Sequence, residues 1–76
     1  MNNKRREILK KGLYTLTTAE DLIQIALDEE QDSLDNLPEN LESSEKYAKM
    51  EQAIDKLTDS IERIYEARDL IEEAIA

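Results

Sequence analysis

The stretch Asn36-Leu37-Pro38-Glu39-Asn40-Leu41-Glu42-Ser43-Ser44 separates two long segments rich in residues that favour helices. Pro38 is the only proline. It lacks an amide hydrogen and disfavours helical geometry at Leu37, so we expect the first helix to end before it. Ser43 or Ser44 can cap the second helix, and residues 38–41 can form a single helical turn. The predicted elements are a helix over about residues 3–35, a turn over about 36–43 and a helix over about 44–76.

Both segments carry apolar residues in alternating steps of three and four, the heptad spacing of helices that pack along their length. The first seam is Leu9, Leu13, Leu16, Glu20, Ile23, Leu27, Glu30, Leu34 and Leu37. The second seam is Tyr47, Met50, Ile54, Leu57, Ile61, Ile64, Arg68, Ile71 and Ile75. Equal lengths and a short connection predict an all-α fold, an antiparallel two-helix hairpin resembling a coiled coil.

Three charged residues interrupt the seams: Glu20, Glu30 and Arg68. If the turn centres near Asn40, facing residues have numbers that sum to about 80, so Arg68 faces Gly12 and does not meet Glu20 within one chain. Three interpretations remain open. The two charges meet across a dimer, Arg68 binds an anion, or both side chains extend outward at the seam edge.

Composition excludes several classes of protein. The 76 residues carry a net charge of −9 and include no Cys, no His and a single Gly. Disulfides, zinc fingers, thiol chemistry and phosphate-cradling loops are therefore excluded, and no apolar run is long enough for a membrane span. No signal-peptide pattern opens the chain. We expect a soluble cytoplasmic protein that is not an enzyme and that needs no metal or cofactor, since no nucleophile and base can be paired.

Two helices cover only one side of each other, and domains this small rarely build a sufficient core alone. Several apolar residues lie off the main seams. Four of them are candidates for an oligomer interface: Tyr14, Leu22, Ile25 and Tyr65. We expect a homodimer that forms a four-helix bundle, or a higher helical oligomer. The alternative is a broad core face with a few exposed apolar groups.

The charges are unevenly distributed. The basic end contains Lys4, Arg5, Arg6, Lys10 and Lys11. The acidic turn, residues 28–45, contains eight acidic residues and no base. These segments lie at opposite ends of the predicted hairpin, so an antiparallel dimer, which places each basic end beside an acidic turn, is expected.

Both charged ends are candidate binding surfaces. The bases of the basic end, together with Arg68, are candidates for holding the phosphates of a nucleotide between protomers. The acidic surface can imitate a nucleic-acid backbone and occupy a basic groove of a partner protein; its candidate residues are Asp28, Glu29, Asp32, Asp35, Glu39 and Glu42. A solubilising role for the acids and a solvated or dimer-paired first turn for the bases are the alternatives. Nucleic-acid binding or a structural accessory role is not favoured, because the chain is acidic overall.

The turn reads Asp28-Glu29-Glu30-Gln31, then Asp35 to Leu41, then Ser44-Glu45-Lys46-Tyr47, and the chain starts with the basic run Asn3-Lys4-Arg5-Arg6. In these stretches it resembles small acidic helical proteins encoded by phages and integrative elements of Gram-positive bacteria. The resemblance implies a bacterial cytoplasm and a stoichiometric role, such as inhibition of a host defence protein. It assigns no functional residue.

Overall fold

The computed structural model describes residues 1–76 and is all-helical, without strands. Helix α1 spans Asn3–Asp35, a single 3-10 turn spans Glu39–Leu41, and helix α2 spans Glu45–Ile75. The two long helices pack against each other as an antiparallel hairpin. The all-α hairpin and the short helical turn between its arms are confirmed. Neither helix contains an apolar stretch long enough to cross a membrane.

Capping residues set the helix ends. The Asn2 side chain accepts a hydrogen bond from the Arg5 amide at 2.9 Å, and the Ser44 hydroxyl accepts one from the Tyr47 amide at 3.2 Å. Each bond satisfies an amide that has no partner within the helix. Of the two serines predicted as caps, Ser44 is the one used. At the other end of α1, the Asn36 side chain donates to the Asp32 carbonyl at 2.8 Å, and the helix stops before Pro38.

The predicted seams form the contact between the helices. Every seam residue is buried or half-buried, including the three charged ones, whereas most other residues are exposed. Met50, at 9% exposure, is nevertheless the only buried residue of the 76. Two helices leave both flanks of their contact open to solvent, which is why the seams are only partly covered.

The hairpin is a rod with a large surface. Its extents are 59 × 15 × 13 Å and its radius of gyration is 17.4 Å, against about 11 Å for a globular chain of this length. Its accessible surface is 5838 Å², against about 4,800 Å² for a compact monomer of this mass. The single chain thus exposes about 1,000 Å² more than a compact protein of its size.

The two broad sides of the rod differ in composition. Because the helices run in opposite directions, the residue just before a seam residue lies on the same side of the rod in both helices. On that side, which we call the small-residue face, most positions next to the seams are small, and the exception is Lys46 at the turn end. The small ones are Gly12, Ala19, Ala26, Ser33, Ala53, Ser60, Ala67 and Ala74. On the other side, the polar face, the equivalent positions are Lys10, Thr17, Gln24, Gln31, Glu51, Thr58, Tyr65 and Glu72.

Candidate functional site

Glu20 and Arg68 meet within one chain. The Arg68 Nη1 donates to the Glu20 Oε2 at 2.6 Å, and the two side chains are 26% and 20% exposed, respectively. The Arg68 guanidinium carbon lies 5.8 Å from the centre of the Tyr65 ring, within range of a cation–π contact. The Arg68 Nε is buried without a hydrogen-bond acceptor. The expectation that these two seam charges do not meet within a single hairpin is therefore wrong.

The direction of the side chains explains this correction. Helical side chains lean toward the N-terminus of their own helix, so α1 side chains lean toward the chain termini and α2 side chains lean toward the turn. Glu20 lies nearer the turn than Gly12, the predicted neighbour of Arg68. The two long side chains consequently lean toward each other and close the gap between their backbones.

At the basic end, a basic side chain of α1 caps the C-terminal end of α2. The Arg6 Nε donates to the Ile75 carbonyl at 3.1 Å, and α2 has no basic residue in its own last turn. A cation there satisfies a terminal carbonyl and complements the negative end of the helix dipole. Lys10 pairs with Glu7 at 3.2 Å. The same side chains were candidates for phosphate binding, and two of them are engaged within the chain.

The candidate anion-binding residues do not converge in a single chain. Arg68 is half-buried on Glu20, whereas Lys4 and Lys11 are exposed, seven residues apart along α1, and form no ion pair. The spacing of seven places both lysines on the outer side of α1, away from α2. A phosphate that contacts all of these bases therefore requires more than one chain.

The acidic turn is exposed and largely unpaired. All six candidate residues of the acidic surface are exposed, and none forms a salt bridge. Asp28 and Asp35 each accept a hydrogen bond at 2.9 Å from a glutamine four residues earlier. No three or more acidic side chains are grouped as a metal site requires. The acidic surface therefore presents free carboxylates to solvent.

One open groove lies beside this surface, at the turn end of the rod. Its lining is Glu30, Glu45, Lys46, Lys49 and Met50. Lys49 pairs with Glu45 at 3.2 Å, with both side chains exposed. Lys46 and Lys49 therefore lie beside the acidic residues at this end of the rod, so the end carries both positive and negative charges.

The four candidate interface residues are all exposed, between 56% for Ile25 and Tyr65 and 77% for Tyr14. They do not form one surface. Ile25 lies on the outer side of α1, Tyr14 borders the polar face, and Tyr65 lies on the polar face beside Arg68.

Only Leu22 borders the small-residue face. Two further apolar residues border it as well: Ile8, 57% exposed, and Leu70, 65% exposed. These two were outside the predicted interface set. Ile8 lies four residues before Gly12, and Leu70 lies four residues before Ala74. This helical spacing, which places each of them beside a small residue on the same face, is the signal that identifies them.

Comparisons of the chain with protein-family models, with curated proteins and with solved structures gave no match. Functional inference therefore starts from the residues and the geometry of the chain itself.

Proposed function

We propose that this chain is a non-catalytic interaction protein that self-associates through its apolar surface and binds a partner protein through its acidic turn. One observation carries the proposal: a single residue is buried, while the large apolar side chains Ile8, Tyr14, Leu22, Ile25, Tyr65 and Leu70 are each more than half exposed. Three of them, Ile8, Leu22 and Leu70, border the same side of the rod, and apolar groups gathered on one side of a chain this small are typical of a surface that is covered by another protein.

The acidic surface supplies the second part of the proposal. Its carboxylates are exposed and free of salt bridges, and only Asp28 and Asp35 accept a side-chain hydrogen bond, so most of them meet a basic partner without first breaking contacts inside the chain. Charge complementarity of this kind steers association and selects the partner. The resemblance to small phage proteins points to a host or phage protein as the partner, and to inhibition of a host defence protein in the bacterial cytoplasm as the role.

The test compares two charge-neutralised variants in pull-downs from bacterial lysate at low salt. The turn variant carries Asp32→Asn, Asp35→Asn, Glu39→Gln and Glu42→Gln. The control carries Asp55→Asn, Asp59→Asn, Glu62→Gln and Glu73→Gln, which remove the same charge from exposed positions of α2. We expect a protein retained by the wild type and by the control but lost by the turn variant. Identical retention by all three proteins contradicts binding through the turn.

A nucleotide-sequestering role is the second candidate, and the unpartnered Nε of Arg68 favours it. The Glu20 carboxylate opposes it, because it lies 2.6 Å from the same guanidinium and repels an anion. Thermal shift with a panel of nucleotides tests this role, with Arg68→Met as the matched variant. A ligand that raises the melting temperature of the wild type but not of this variant supports the nucleotide role.

A further inference from the structure

We propose that a second copy of this chain covers the small-residue face, with the two turns at the same end of the resulting four-helix bundle. This inference rests on the self-association in the proposed function, and it names the surface and the orientation. Three properties of the small-residue face support it: its composition, its area and the pairing of the residues along its edges.

Small side chains next to both seams allow another helix pair to approach closely. Gly12 is the clearest case. A side chain at this position meets nothing within 4 Å in the single hairpin, yet glycine is the least favourable residue after proline inside a helix. Nothing in the single chain requires a glycine here. The close approach of a second chain supplies a reason for it.

The area of the face suits a stable dimer. The rod is 59 Å long and 15 Å wide, so one covered face amounts to about 900 Å², close to the ~800 Å² that each partner buries in a standard interface. Burial of this order also matches the roughly 1,000 Å² by which the chain exceeds the surface of a compact monomer.

The opposite side of the rod is a poorer match for a second copy. Covering the polar face would bury Lys10, Glu51 and Glu72 together with two glutamine side chains. Buried charges destabilise an interface unless each of them finds a partner. The small-residue face carries one charge at the positions given for it next to the seams, Lys46 at its turn end, against three on the polar face.

The edges of the small-residue face indicate the orientation. Along α1 the edge residues are Ile8, Thr15, Leu22 and Glu29, and along α2 they are Lys49, Lys56, Arg63 and Leu70. When the turns share one end, α1 of each copy lies over α2 of the other at the same level. Ile8 then meets Leu70, Glu29 meets Lys49, Thr15 meets Arg63 and Leu22 meets Lys56. An apolar pair and an opposite-charge pair each occur twice, and no two like charges meet.

The reverse orientation pairs the edges badly. When the turns lie at opposite ends, α1 lies over α1 and α2 over α2. Ile8 then meets Glu29, Lys49 meets Leu70 and Thr15 meets Leu22, and the like charges of Lys56 and Arg63 meet. The charges of the basic end and the acidic turn favour this orientation, as expected from the sequence, but they are exposed and screened beyond about 8 Å. The edge residues touch their partners directly, so they decide the orientation.

The face is tested with two lysine substitutions in one helix. Ala26 lies on the small-residue face and Gln24 on the polar face, and both are exposed in the hairpin, so neither substitution disturbs its packing. By sedimentation we expect wild type and Gln24→Lys to form dimers with the same dissociation constant, and Ala26→Lys to weaken the dimer about tenfold or more.

The proposal is overturned if the two lysine variants have equal dissociation constants. It is also overturned if the wild-type chain is a monomer at a concentration of about 50 micromolar. A lone wild-type chain also removes the self-association half of the proposed function. Binding by the acidic turn is judged separately in the pull-down.

The orientation is tested with a spin label at Asn40→Cys, since the chain has no other cysteine. Turns at the same end give a distance between the two labels below about 30 Å, as expected across a four-helix bundle with helix axes 8–10 Å apart. Turns at opposite ends give a distance close to the 59 Å length of the rod. The long distance overturns the proposed orientation.

Discussion

Arg68 and Glu20 form the only salt bridge that joins the two helices, with 2.6 Å between Nη1 and Oε2. The other three salt bridges connect residues three or four positions apart within one helix, and all of their side chains are more than half exposed. A charged pair placed in an apolar seam favours the one alignment of the helices in which the pair forms. This pair therefore adds alignment specificity to a contact that is otherwise apolar.

Removing one member of this pair destabilises the hairpin. We expect Glu20→Leu to lower the free energy of unfolding by about 2 kcal/mol, because it leaves the half-buried Arg68 charge unpaired. The double variant Glu20→Leu, Arg68→Leu recovers the loss, since both charges are replaced by apolar groups. Urea unfolding at one fixed protein concentration measures both.

The exposed pair between Arg63 and Glu66 is the control for this prediction. Glu66→Leu is expected to change the free energy of unfolding by less than about 0.5 kcal/mol. If Glu20→Leu is as stable as the wild type, the seam pair has no role in alignment.

The start of α2 depends on Ser44 and not on its neighbour. Ser44→Ala removes the acceptor for the Tyr47 amide, so we expect a loss of about 1 kcal/mol in the free energy of unfolding. Ser43→Ala removes no cap and is expected to be neutral. Thermal unfolding followed by circular dichroism compares the two, and equal melting temperatures would show that the cap makes no contribution.

The end of α2 depends on a base from α1. Arg6→Ala removes the donor to the Ile75 carbonyl, and we expect the last turn of α2 to fray, with a cost of about 0.5–1 kcal/mol. Hydrogen exchange of the amides in residues 72–76 reports the fraying. Arg5→Ala, one residue away and exposed, is the control, and faster exchange in both variants would point to loss of overall charge instead.

We expect salt to raise the stability of this protein. The net charge of −9 and the run of unpaired acids at the turn repel one another, and ions screen that repulsion. We expect the melting temperature to rise by about 5 °C between low and high salt. The four-substitution turn variant should show a smaller rise, because it lacks four of the repelling charges. A melting temperature that falls with salt would mean that attractive pairs outweigh the repulsion.

The parts of the fold that could be predicted from the sequence depend on local interactions. Pro38 stops α1 through the geometry of its own ring and Ser44 starts α2 through a bond to the amide three residues later, so both act within a few residues. The heptad steps likewise identified every half-buried seam residue, because helical periodicity alone decides which side chains share a face. For the candidate sites, the same reasoning identified which charged and apolar side chains could bind a partner, but it did not identify the residues that contact them in the folded chain.

Two helices, the turn between them and the seams along which they pack can be predicted from the residues alone, since each depends on local backbone geometry and on the helical repeat. The contacts of Glu20 with Arg68 and of Arg6 with Ile75 become visible only once the two helices are packed together. Those contacts depend on how far long side chains lean along antiparallel helices, and a count of facing residues does not contain that direction. The antiparallel pairing also brought the small residues of both helices onto one side of the rod, where a second chain has room to pack.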